Sequence, residues 1–159
     1  MRGDKMMRKN GLFVIAAATA ALVLGACGKK AADFDVDALA SDLNDKITYE
    51  DTLMPLDIDT AGMFLNLSGI DITKAAIYEG SGATAEEIVV MECATEEDAQ
   101  KAAEALRTRV AEQIESFTDY VPEELTKLNS AVIKVNGRYA VLSVSASPDD
   151  AGSIIAGYM

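Results

Sequence analysis

The stretch from Thr95 to Phe117 constrains this 159-residue chain more than any other. Thr95-Glu-Glu-Asp98 resembles a helix capping box, with Asp98 where Glu or Gln is usual. Behind it Ala99, Ala103, Leu106, Val110, Ile114 and Phe117 recur at intervals of three and four, which places them on one face of a helix. Lys101, Glu104, Arg107, Glu112 and Glu115 fall opposite. A long helix with one apolar stripe needs a second layer to cover that stripe.

The flanking segments read as strands. Thr73 to Tyr78 is one, followed by a Glu79-to-Ala83 turn and then Glu87 to Cys93, which is apolar on both faces apart from Glu92. A strand of that pattern needs cover on each side, and the N-terminal helix or the irregular segment after it is the candidate for the second side. Asn136-Gly137, set between Ser130–Val135 and Arg138–Ser145, is a strong hairpin signal, because Asn-Gly adopts left-handed dihedrals easily. Val36, Leu39, Leu43 and Ile47 predict an amphipathic helix over Asp35 to Ile47, with acids at its start, where the helix dipole favours them. Pro122 opens a short helix, and Ser147-Pro148-Asp-Asp150 resembles the cap of a terminal one carrying Ala151, Ile154, Ile155 and Tyr158. Tyr49 to Asp71 has no clear period and stays unassigned. The fold class expected is α+β: two layers, an antiparallel sheet of about four strands in two β-hairpins, packed against the long helix, with N- and C-terminal helices.

Ahead of this domain stands a different kind of segment. Arg2, Lys5, Arg8 and Lys9 precede sixteen uncharged residues, Gly11 to Ala26, and Leu24-Gly25-Ala26-Cys27 closes the run. A basic head, an apolar body and small residues before a cut describe a secretory signal. At about 1.5 Å per residue the body spans about 24 Å as a helix, short of a hydrocarbon core of about 30 Å. The cysteine after Leu-Gly-Ala resembles a bacterial lipoprotein signal, in which cleavage between Ala26 and Cys27 leaves a diacylglycerol thioether (commonly palmitate-bearing) on the Cys27 sulfur. The expected organisation is a signal peptide over 1–26, lipidated Cys27 with a short tether over 27–32, and a single α+β domain over 33–159. Two or three acyl chains would then hold the domain at the extracytoplasmic face of the cell membrane.

Of the 14 basic and 26 acidic side chains, four and one lie in the first 26 residues, so the remainder carries a net charge of −15. That sign argues against nucleic acid as a partner and against electrostatic adhesion to anionic lipid. With Cys27 acylated, Cys93 has no disulfide partner and reads as a buried, inert thiol.

The chemistry of known enzymes is hard to place on this chain. There is no histidine, no Gly-x-Ser-x-Gly, no Ser-x-x-Lys and no phosphate-binding Gly-x-x-x-x-Gly-Lys. Asp33-Phe-Asp35-Val-Asp37 starts like a calcium loop, but Ala38 and Asn44 stand where that loop needs Gly and Glu, so helix capping is the better reading. Asp57-Ile-Asp59 is weaker still. No metal or cofactor is expected, and no catalytic residue is assigned.

Four segments carry a resemblance: Ile70-Asp71, Ala83-Thr-Ala-Glu-Glu-Ile88, Glu115-Ser-Phe-Thr-Asp-Tyr-Val-Pro122 and the Asn-Gly hairpin. Over about residues 35 to 155 the chain resembles the small lipoproteins of low-GC Gram-positive bacteria grouped as domain-of-unknown-function family 4358. Ser68 departs from the aromatic residue often found before Gly-Ile-Asp in that family. The resemblance implies a location and no activity. The expected function is a membrane-anchored, non-catalytic binding module with an envelope protein as partner. The alternatives are an extracytoplasmic enzyme working through carboxylates, or a small solute-binding lipoprotein.

Overall fold

The computed structural model describes residues 33–159. The signal peptide, the Ala26/Cys27 cleavage position and the 27–32 tether lie outside the described residues.

The chain enters through Phe34, whose ring stacks on Tyr139 at 4.1 Å. Asp35 then caps α1 (Val36–Lys46) by accepting from the Asp37 N–H, and Val36, Leu39, Ala40 and Leu43 are buried beneath it. The unassigned stretch contains two small elements: β1 (Met54–Leu56), and α2 (Ile58–Ala61) capped by Asp57. The expected hairpins follow as β2 (Ile72–Glu79) with β3 (Glu87–Cys93), and β4 (Val132–Asn136) with β5 (Tyr139–Val144). Between them runs α3 (Glu96–Tyr120), whose 25 residues span about 37 Å. Its Thr95 hydroxyl accepts from the Asp98 N–H at 3.0 Å, while the shorter Asp98 carboxylate takes the Thr95 hydroxyl proton instead of reaching back to the main chain. A 3₁₀ turn (Pro122–Glu124), the short α4 (Leu125–Asn129) and the terminal α5 (Pro148–Ala156) complete the order.

All strand pairs are antiparallel, in the order β1-β2-β3-β5-β4. The sheet has five strands where about four were expected. β1 is three residues long and contains Pro55, too little for a period-two pattern, and proline is tolerated there because β1 is an edge. The two expected layers become three. β3 sends Val89, Met91 and Cys93 to one side, against Ala99, Ala103, Leu106 and Phe117 of α3. It sends Ile88 and Val90 to the other, against Leu39 and Leu43 of α1 and Ile155 of α5. The N- and C-terminal helices therefore share the face that α3 leaves open, joined by Tyr158 Oη donating to Asp42 at 2.8 Å.

One turn sits a residue later than Asn136-Gly137 suggested. Asn136 pairs with Tyr139 in the sheet, and the two-residue loop is Gly137-Arg138. Gly137 supplies the left-handed φ of +54°, and Asn136 is held in the strand by its side-chain amide, which donates to the Met159 carbonyl at 2.6 Å. Cys93 is fully buried and unpaired, and burial pushes its thiol up to about 11, with Asp98, Asp71 and Glu92 adding to the effect.

Candidate functional site

Glu86 immediately precedes the central strand β3 and Glu87 opens it, and they are the two most deeply buried acids among the described residues, 1% and 0% exposed. Successive side chains on a strand point to opposite faces, so each glutamate meets a different set of partners.

Glu86 faces the loop after α1 and the turn before α4. Its carboxylate accepts from the main-chain N–H groups of Glu50 and Asp51, each at 2.9 Å, and lies 3.2 Å from Lys127 Nζ. The same ammonium reaches Glu50 and Glu124, both at 3.0 Å. Glu124 in turn accepts from the Ala85 N–H at 2.8 Å, which locks the start of β3 to the turn after α3. Burial pulls the Lys127 pKa down, but its bonds to Glu124, Glu50 and Glu86 overcompensate and leave it above the ordinary lysine value. Lys127 is thus a charged clamp on three carboxylates.

Glu87 faces α3 and stands directly across the sheet from Glu79. Arg109 bridges the two acids, with Nη2 2.8 Å from Glu79 and Nε 3.2 Å from Glu87, and its guanidinium lies 4.3 Å over the Phe64 ring. One cation cannot neutralise two buried carboxylates. Burial first, then the charge of Glu87, outweighs Arg109 and raises Glu79 to about 8. Burial raises Glu87 as well, against Arg109. The second oxygens of Glu79 and Glu87, and the Gln113 amide oxygen, are buried without a hydrogen-bond donor. A proton on either acid supplies one of these oxygens with its donor, and the raised pKa of both favours that protonation.

Neither pairing was visible from spacing, since Arg109 is 22 positions from Glu87 and Lys127 is 41 from Glu86. The one available signal was two consecutive acids ahead of an apolar strand, inside the Ala-Thr-Ala-Glu-Glu-Ile run. The acids singled out from sequence do other work. Asp35 and Asp37 pair with Lys74 at 2.7 and 2.9 Å, and Asp33 with Arg138 at 3.5 Å. Asp57 caps α2 through the Thr60 N–H and hydroxyl. In the Gly80-Ser-Gly82 loop the Ser81 N–H and hydroxyl both donate to Asp51 at 2.6 Å, so an acid already occupies the donors a phosphate would need. No group of three or more His, Cys, Asp or Glu side chains among the described residues is arranged to hold a metal ion.

Four clefts on the described residues measure about 790, 510, 300 and 240 Å³, and none of these four has Glu79 or Glu87 in its wall. The widest runs between β4 and α5, walled by Val132, Val135, Ile155 and Met159, with Lys134 and Asp149 at its margins. The smallest lies over Lys127, Glu50 and Ser145. No helix among the described residues is long and apolar enough to cross a membrane.

Residues 48–145 match the model of a family described as a domain of unknown function, DUF4358. The match takes in the sheet, α3 and both glutamate networks, and stops short of α1 and α5. No curated protein and no solved structure matches the chain.

Proposed function

The chain belongs to the DUF4358 family of domains of unknown function, and from that premise we propose that it is a lipid-anchored, extracytoplasmic binding module without catalytic activity. The anchoring rests on the Leu24-Gly25-Ala26-Cys27 sequence behind an apolar, uncharged run, with Cys27 as the acylated residue. The binding role rests on one contrast. The most deeply buried carboxylates, Glu86 and Glu87, are engaged by Lys127 and Arg109 inside the fold, whereas the widest of the four clefts is a largely apolar groove along an open sheet edge. A single sheet covered on both faces has no second lobe to close around a small solute, which makes the solute-binding alternative the weaker one.

The carboxylate-enzyme alternative retains one point in its favour, the elevated pKa of Glu79. Against it, Glu79 is held by Arg109, its partner Glu87 is fully enclosed, and neither acid lines any of the four clefts. Two measurements test the proposal. Growing cells are fed an alkyne-tagged palmitate: the wild type should label and Cys27→Ala should not, and equal labelling of the two would remove the anchor. The tagged chain is then cross-linked in intact cells and recovered from detergent-solubilised envelopes. Failure to recover any specific partner would count against the binding role.

A further inference from the structure

Both edges of the sheet carry unpaired main-chain groups, but they differ in what they can accept. β1 is short, and Pro55 removes a donor from its middle. β4 is five residues long with no proline. Its two-residue loop closes on the hydrogen-bonded pair Asn136–Tyr139, and bonded and non-bonded pairs alternate along an antiparallel ladder. Lys134 and Val132 therefore bond to β5, while Ile133 and Val135 direct their N–H and C=O groups away from the sheet. Among the described residues those outward groups find no partner. Natural edges are usually blunted, and this one has a single charged residue on it.

That residue, Lys134, carries the second observation. Eight Lys and Arg side chains lie among the described residues, and seven of them are in ion pairs with acids among those same residues. Lys134 is the exception. It is exposed at the rim of the β4–α5 groove, in a chain whose acids outnumber its bases 26 to 14. An unpaired cation in so acidic a protein, next to open strand donors and acceptors and above an apolar groove, matches an extended peptide bearing an acid. A second copy of this chain is the poorer occupant. A symmetric β4–β4 contact centred on Lys134 would set two lysines against each other, and like charges directly opposite are destabilising.

Resting on the binding-module reading, we propose that β4 takes an extended segment of a partner protein as an added strand. The segment's main chain pairs with Ile133 and Val135, an acidic side chain lies beside Lys134, and apolar neighbours enter the groove toward Ile155 and Met159.

The probe is the acetylated, amidated peptide Ser-Val-Val-Thr-Glu-Thr-Val-Val-Ser, whose symmetry keeps the acid central in either strand direction. It is titrated into the full chain in mild detergent, with amide hydrogen exchange read by NMR. Strand addition slows exchange of the Ile133 and Val135 amides and leaves that of Lys134, already bonded to β5, unchanged. Lys134→Glu, an exposed substitution, weakens binding by about tenfold, and the peptide with Lys in place of its Glu regains it on that variant. Absence of binding, binding without protection of those two amides, or an unaltered Lys134→Glu overturns the proposal. Self-association of the wild-type chain with the same protection overturns it in favour of a second copy. A cross-linked envelope partner that Lys134→Glu retains in full overturns strand addition alone and leaves the binding module standing.

Discussion

Glu79→Gln isolates the physics of the buried acid pair. Glu79 sits between Glu87 and the guanidinium of Arg109, with its side chain 24% exposed, and its pKa stands at about 8 instead of the ordinary 4.5. In the window between those values the folded chain holds a proton that the unfolded chain has lost. Unfolding then releases protons, so stability falls as pH rises. The slope for one group is about 1.4 kcal/mol per pH unit, and integrated from 4.5 to about 8 the loss is on the order of 5 kcal/mol. That is a large share of the roughly 5–15 kcal/mol typical of a domain. No histidine titrates in that window, and Glu87, which burial also raises, adds to the same downward slope. The capping and ion-paired acids Asp35, Asp42, Asp51, Asp57 and Asp98 are all shifted down, so their contributions fade only at lower pH. Guanidinium titrations of the full chain, followed by far-UV circular dichroism from pH 5 to 9, give the profile. Wild type should weaken steadily from pH 5 to 8, whereas Glu79→Gln should lose the part of that slope that Glu79 carries, keep the part that Glu87 carries, and be more stable than wild type above pH 8. A flat wild-type profile, or a variant that keeps the full wild-type slope, would refute the protonation of Glu79.

Three further outcomes are expected. Lys127→Met leaves Glu86 and Glu124 buried without their counter-charge and should destabilise the fold by about 3–5 kcal/mol, read from the urea midpoint, because the cost falls on the stranded carboxylates. Gly137→Ala forces a side chain onto a φ of +54° and should lose about 1–2 kcal/mol in the same assay, with α3 left intact by circular dichroism. Cys93, buried and with its thiol pushed up to about 11, should resist a thiol reagent at pH 8 in the folded state and react promptly in denaturant. Fast labelling of the native chain would show that its shell opens.

Local signals were the legible ones. α3 was readable because its cap and its three–four stripe lie within one stretch of chain, and the β4–β5 hairpin because Gly137 tolerates a backbone that other residues resist. The need for cover on both faces of β3 was equally plain from Ile88 to Cys93. β1 escaped notice, since three residues with a proline carry no period and exist as a strand only because β2 offers an edge. The hairpin loop shifted by one residue because Asn136 finds its partner in Met159, at the far end of the domain.

The sequence by itself determined the α+β class, the order of its main elements and an acidic character, all of which follow from periodicity, turn chemistry and composition within short windows. Tertiary structure alone decided that Glu86 and Glu87, neighbours in the chain, part to opposite faces of the sheet and answer to Lys127 and Arg109. It alone left Lys134 without an acid among the described residues at the one edge with room for another strand. Such pairings are set by which distant segments the packed layers bring within 3 Å or so, the range where a desolvated charge is either matched or stranded.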